Sequence, residues 1–351
     1  MSVKNFEQID VNNDVTTTRT LLHEALPITG SIINSGTYAN SNIKNFTHGM
    51  FQSVYDYPYL SSSANHIFDI TACYAASSSL SASTSIQNDK KINMYTEFAQ
   101  TLLGYTGSLT DPANQVRLFE NDLALDGGGG DVMDEVFVLN FSRLLTKDQI
   151  KKGTFSITLG TGSFGNTFFR TSVLTDASAS ADGTGTSNVL GGDYGLLMNS
   201  ASVVYGNIFY QAGIVILTSS IFASSVDFYA GAGASGSYSV NATLTGSTIS
   251  GACDAFRERI QTVSFNNTTE INSKIYFCRA PHNKFNYSSN PTYLSGSKIR
   301  VKNTPSDQPV SYITTIGLYN SSGEMLAVAK LSEPIRKDPT NDITLRVRLD
   351  Y

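Results

Sequence analysis

The sequence predicts a mainly β protein, built from antiparallel β-sandwich-type domains with one amphipathic helix at about 88–103 and an extended N-terminal arm. Three observations predict it. Apolar and polar residues alternate with period two in several segments, most clearly at the end, where Ile343, Leu345, Val347, Leu349 and Tyr351 share one face and Thr344, Arg346, Arg348 and Asp350 the other. Asn320-Ser321-Ser322-Gly323 separates two such segments, Tyr312 to Tyr319 and Glu324 to Ala329, as a hairpin loop would. One strong helical period occurs, in Ile92, Tyr95, Phe98, Ala99, Leu102 and Leu103, opening near Asn88 with Gly104 placed to end it.

The elements follow in order. Residues 1–60 mix Asn, Thr and Gly with short apolar groups such as Ile32-Ile33 and read as the arm. Residues 61–255 read as a β-rich domain carrying the helix, which is expected to cover one sheet face, and Gly/Ser-rich insertions. Residues 256–351 read as an antiparallel β domain ending in the C-terminal strand. Within the second region His66 to Tyr74, Val116 to Phe119, Val136 to Phe141 and Thr154 to Leu159 read as strands. Thr146-Lys147-Asp148-Gln149 resembles a capping box opening a helical turn that Gly153 ends. Ala177 to Gly192 lacks an apolar pattern and reads as a loop. Val203 to Tyr210 and Ile214 to Thr218 read as buried antiparallel strands turned at Gln211-Ala212-Gly213, not as a membrane span, because Gly, Asn, Gln and Ser interrupt the run.

Only 15% of the 351 residues are charged, against roughly 25% in an average soluble chain, whereas 40% are hydrophobic, including 19 Phe and 18 Tyr. That aromatic content excludes wholesale disorder. The net charge of −5 is uneven: Asp254 to Tyr351 carries 13 Lys/Arg against 9 Asp/Glu, and no Lys or Arg lies between Arg170 and Arg257. A stretch so free of cations points to burial in an assembly or to a neutral surface. Cys73, Cys253 and Cys278 are odd in number and widely spaced, so neither a disulfide framework nor a zinc site is indicated. No apolar leader follows Met1, which points to folding in the cytoplasm and leaves the N-x-S/T matches without meaning.

No motif assigns chemistry. Gly160-Thr161-Gly162-Ser163-Phe164-Gly165 fits G-x-G-x-x-G, but the residues after it are strand-like, and a dinucleotide site needs a helix there to receive the pyrophosphate. Asp126, Asp131, Asp134 and Glu135 around Gly127 to Gly130 could gather a hard cation, yet EF-hand spacing is absent, and a flexible loop is the plainer reading. Ser295-Gly296-Ser297-Lys298 matches S-x-x-K without its partner motifs. His23, His48, His66 and His282 show no metal spacing. Lys298, Arg300, Lys302, Arg346 and Arg348 lack interleaved aromatics, so they read as solvated faces. No catalytic, cofactor-binding or metal residue is therefore assigned, and no nucleic acid, membrane or small-molecule substrate is expected.

Tyr312-Ile313-Thr314-Thr315-Ile316-Gly317-Leu318-Tyr319-Asn320, followed by Gly323-Glu324-Met325-Leu326-Ala327-Val328-Ala329-Lys330-Leu331, resembles a hairpin found in tail and collar proteins of tailed bacteriophages. Ser332 to Lys337 and Leu345 to Tyr351 are similar to the ends of structural proteins of marine T4-like phages, and Phe137 to Arg143 and Gly206 to Thr218 share their character. The resemblance implies a non-enzymatic virion component of the tail, baseplate or neck, assembled in the host cytoplasm through contacts with copies of itself and other virion proteins. Two other readings stand beside it. Asn286 to Tyr293, rich in Asn and Tyr, suits a receptor- or glycan-binding β module, although Trp is absent; and any two carboxylates could meet as an envelope-polysaccharide hydrolase.

Overall fold

The computed structural model describes residues 6–29, 41–106, 115–123, 130–163, 170–179, 185–230, 237–288, 291–296, 298–300, 304 and 306–351. Of these, 45% are in strands and 14% in helices, so the chain is mainly β. It divides into two compact units, Leu22–Thr269 and Met1–Leu21 with Glu270–Tyr351. Two strands cross this division. β1 (Val15–Thr29) passes Leu22, and a 21-residue strand, Ile260–Ala280, passes Thr269.

The larger unit is built on one antiparallel sheet. Its strands are β1, β2 (Ile43–Asn45), β3 (Gln52–Tyr55), β4 (His66–Tyr74), β5 (Glu135–Phe141), β6 (Gln149–Ile150), β7 (Ser156–Gly160) and β8 (Thr171–Thr175). There follow β9 (Ser187–Val189), β10 (Gly192–Met198), β11 (Val204–Phe209), β12 (Ile214–Thr218), the short pair β13 (Tyr229–Ala230) and β14 (Ser237–Tyr238), and β15 (Ile260–Ala280). Neighbours run β1-β15-β7-β8-β10-β11-β12-β5-β4-β3-β2. β15 and β5 are far apart in that order, yet Phe141 on β5 meets Phe265 on β15 at 5.2 Å and Phe155 beside β7 at 6.0 Å, centroid to centroid. The sheet therefore folds back on itself, sandwich-like, around an aromatic core, as the right-handed twist of a large sheet favours.

Helices close both faces. α1 (Asn88–Leu102) covers the sheet face that carries Cys73 of β4 and Val136 and Val138 of β5, and Gly104 takes φ +77 just beyond its end. After the single turn α2 (Arg143–Thr146), two helices absent from the sequence reading, α3 (Val240–Gly246) and α4 (Ile249–Arg257), cover the opposite face, where Phe256 stacks on Phe137 at 4.4 Å. They are short and carry the weak helix formers Val240, Asn241, Thr243, Thr245, Gly246 and Gly251, so their propensity is weak. Side-chain caps start them: Ser239 accepts from Ala242 N–H and Thr248 from Gly251 N–H.

Buried polar groups hold the loops. Arg259, fully buried, donates to the carbonyls of Gly160, Gly162, Asp227 and Phe228 at 2.8–3.1 Å and lies over the Phe228 ring. Burial lowers its pKa to about 10. The buried Asp176 carboxylate accepts from Gly153 N–H, Phe155 N–H and the Tyr210 hydroxyl, which partly offsets the upward push of burial on its pKa. Gly195 makes room for that tyrosine, since a Cβ there would lie 2.2 Å from the Tyr210 hydroxyl oxygen. Lys91, also fully buried, donates to the carbonyls of Ile86, Leu244 and Ser247 and so ties α1 to the end of α3.

Several expectations are corrected. The strand pieces of the expected arm, at residues 43–45 and 52–55, belong to the main sheet, with Ile43 and Val54 in the core, and so do not form an arm; residues 30–40 lie outside the described set. Lys91, not Ile92, sits on the buried face of α1, because three carbonyls satisfy its ammonium. Val116 to Phe119 forms no strand: only bridges at Tyr105–Val116 and Glu120–Val132 occur there. Thr146 ends a helical turn rather than opening one, being buried beneath the chain with Gln149–Ile150 already extended. Ser187–Val189, expected in a loop, pairs with β10. Part of the cation-free stretch is buried within the chain itself, through Ile208 in β11, Tyr210 in the turn after it, Val215 and Leu217 in β12, and Ala252 and Phe256 in α4.

In the smaller unit, Ser273 to Ala280 of β15 pair with β20, introduced here with its predecessors: β16 (Leu294–Ser295), β17 (Lys298–Ile299), β18 (Ser311–Tyr319), β19 (Met325–Lys337) and β20 (Ile343–Asp350). Val347 is buried and residues 344, 346, 348 and 350 are exposed, as the alternation predicts. Arg279 donates to Asp14 at 2.7 Å, and the buried Lys337 donates to the carbonyls of His282 and Asp338 and to Asn286 Oδ1. No helix among the described residues is long and apolar enough to cross a membrane.

Replacing Arg259 with Leu strands four carbonyls and should lower the unfolding free energy by about 3 kcal/mol, read from urea denaturation. Burial also lowers Lys91 from its ordinary 10.5 to about 8. Between those values the unfolded chain keeps a proton that the folded chain has released, so this lysine makes the fold more stable as pH rises through the window. The urea midpoint of the native chain, compared with that of Lys91→Met, should therefore gain between pH 8 and 9.5.

Candidate functional site

Two regions carry groups that the fold itself leaves unused. The first is the β18–β19 hairpin. Its strands pair from Ser311–Lys337 to Tyr319–Met325, with four residues, Leu331 to Pro334, bulging opposite Thr314. A proline is tolerated in a strand at such a bulge, where no ladder donor is needed. Asn320 closes the turn: its Oδ1 accepts from Glu324 N–H, its Nδ2 donates to Glu324 Oε2, and Gly323 adopts φ +79. Neither strand has a buried face along most of its length. Tyr312, Tyr319, Met325, Leu326 and Val328 are all exposed, Leu326 to 70%. Phe6 packs edge-on against Tyr319, at 5.1 Å. A two-stranded ribbon is marginal alone, and exposed apolar groups in a row mark a contact surface.

The second region lies on the α1-covered face of the larger unit. Ser53, Asp69 and Asn140 are register partners on β3, β4 and β5, so their side chains form a row across three strands. His66 joins them through a bulge. Val54 pairs with Phe68 but Tyr55 with His66, which leaves Ile67 as the extra residue. In a regular strand positions 66 and 69 face opposite sides; the bulge turns the imidazole back so that its Nε2 lies 2.8 Å from Asp69 Oδ1. Ser53 Oγ donates to the same oxygen. Asp69 Oδ2 and the Asn140 amide make no hydrogen bond with a described residue. Both border a cavity of about 250 Å³ walled by Phe51, Met94, Phe98 and Val138.

This geometry does not assemble a nucleophilic triad. Such a triad needs the imidazole between serine and carboxylate, whereas here both donate to one carboxylate oxygen. What the row provides is a carboxylate with its orientation fixed and one oxygen open, beside an amide able to donate and accept.

The motifs singled out in the sequence go elsewhere. The Gly160 and Gly162 carbonyls of the glycine-rich turn accept from Arg259, while Phe164 and Gly165 lie outside the described residues. Asp126 to Gly129 likewise lie outside; Asp134 and Glu135 accept from Ser77 and Ser78. Among the described residues no group of three or more His, Cys, Asp or Glu is placed to hold a metal ion. Ser295 and Lys298 face each other in the β16–β17 pair. Arg348 binds Asp350 and Ser273, and Arg346 is exposed. Asn286 is engaged by Lys337, and Tyr287 meets Tyr293 edge-on at 5.4 Å. The Ser53–His66–Asp69–Asn140 row was not found from sequence, although a polar residue inside each of the apolar strands Ile67-Phe68-Asp69-Ile70 and Val138-Leu139-Asn140-Phe141 was the signal for it. Comparison with protein-family models, with curated proteins and with solved structures finds no match to this chain.

Because Ser53 is buried and bonded only through its hydroxyl to Asp69, Ser53→Ala should cost about 1–2 kcal/mol in chemical denaturation. His66→Ala, at a part-exposed position, should cost less.

Proposed function

We propose that this chain is a structural component of a tailed-bacteriophage particle, from the tail or baseplate, that works by binding copies of itself and neighbouring proteins. The observation that carries the reading is the β18–β19 hairpin: the same residues that resemble phage tail and collar proteins form a ribbon whose apolar side chains are left exposed. A hairpin that ends in solvent gains its stability when a partner covers those side chains, at roughly 25 cal/mol for each Å² of apolar surface buried. The low surface charge is in keeping with this, since weak repulsion lets subunits approach. No catalytic role is read into the polar row, whose bonding lacks a serine–imidazole contact.

Light scattering on the purified chain should show a concentration-dependent oligomer, and Leu326→Asp with Val328→Asp should shift it to monomer while keeping the circular-dichroism spectrum of the folded chain. Mass spectrometry of particles of the encoding phage should find the chain at fixed copy number. A chain that stays monomeric at every concentration and is missing from particles would sink the reading.

A further inference from the structure

We infer that the cavity beside Asp69 and Asn140 is a binding site for a single neutral sugar ring or similar polyol, a role separate from the assembly contacts above. Asp69 is anchored through one oxygen only. Two donors, Ser53 Oγ and His66 Nε2, converge on Oδ1, which fixes the carboxylate plane and leaves Oδ2 without a hydrogen-bond partner among the described residues, on a side chain that borders the cavity. Asn140 sits directly across the ladder from it, at the roughly 5 Å Cβ separation of antiparallel partners. An acceptor and a donor–acceptor at that spacing match two adjacent hydroxyls, each of which can donate to one group and accept from the other.

The walls complete the fit. Phe51, Phe98 and Met94 offer aromatic and thioether surface to the C–H face of a sugar ring, and Val138 and its register partner Thr71 form the floor. The volume of about 250 Å³ is below the roughly 300–1,000 Å³ typical of drug-sized ligands, so one ring enters and a folded chain of rings does not. A purely apolar occupant is disfavoured, because it would strip water from Asp69 Oδ2 and the Asn140 amide without replacing the hydrogen bonds. An anion is disfavoured by the carboxylate. The bulge that turns His66 toward Asp69 is a second, independent mark: it interrupts the β3–β4 ladder, and its visible product is the orientation of this carboxylate.

The test is saturation-transfer NMR and calorimetry on the full chain with glucose, galactose, mannose and N-acetylglucosamine. At least one sugar should bind saturably with a millimolar Kd. Asp69→Asn removes the charged acceptor and should weaken binding about tenfold or more. Asn140→Ala, at a half-exposed position with no side-chain bond, should weaken it while leaving the urea midpoint in place, so a folding defect in Asp69→Asn would not leave the matter open. No saturable signal from any sugar, equal binding by the Asn140→Ala chain, or binding of methylammonium but of no sugar would overturn the inference. The oligomeric state of the chain bears on the assembly reading alone and is read separately.

Discussion

Buried cations bonded to backbone carbonyls are the interaction on which the rest of this structure depends. Arg259 gathers carbonyls from the turn after β7 and from the segment before β13; Lys91 ties the start and body of α1 to the end of α3; Lys337 fastens the chain after β15 to the end of β19. A carbonyl is less costly to bury than a carboxylate, and each bond satisfies an oxygen that a loop would otherwise leave unpaired. A chain with few charges can thus fix long irregular connections against a sheet using single cations, each reaching several oxygens at once.

The sheet does the remaining work through register. Folding β15 and β7 over β5 encloses Phe141, Phe155 and Phe265 on one face, while α1 closes part of the other. The row Ser53–Asp69–Asn140 continues to Ile214, so a polar strip passes directly into the apolar surface under the helix. At that junction the cavity forms. The hairpin of the smaller unit shows the opposite arrangement, a ladder interrupted by the Leu331 to Pro334 bulge, with Leu326 and Val328 left exposed, held by its turn and by its own backbone bonds.

Much of the fold was legible because local periodicity decides it. His66–Tyr74 was read to the residue, β12 likewise, and the alternating burial of Ile343–Asp350 follows the period-two pattern. Where tertiary bonds override local preference, sequence reasoning failed. A lysine on the inner face of α1 violates amphipathic patterning unless three carbonyls are known to lie there. The helices α3 and α4 depend on caps and packing more than on propensity, and so escaped notice. The candidate site was invisible for a related reason: His66 reaches Asp69 only through a bulge, and Asn140 only through strand register, neither of which sequence spacing encodes.

The three cysteines acquire distinct characters from their places in this framework. Cys73 and Cys253 are fully buried, and desolvation pushes both thiols far above the ordinary range, so the reactive thiolate is suppressed at either. Cys278, on β15 opposite Leu345, is only partly enclosed, with a milder rise from the same cause. The native chain therefore carries its own selective chemical handle. A thiol reagent applied without denaturant would mark the ladder between β15 and β20 first, placing a fluorophore or spin label in the smaller unit without any engineered residue.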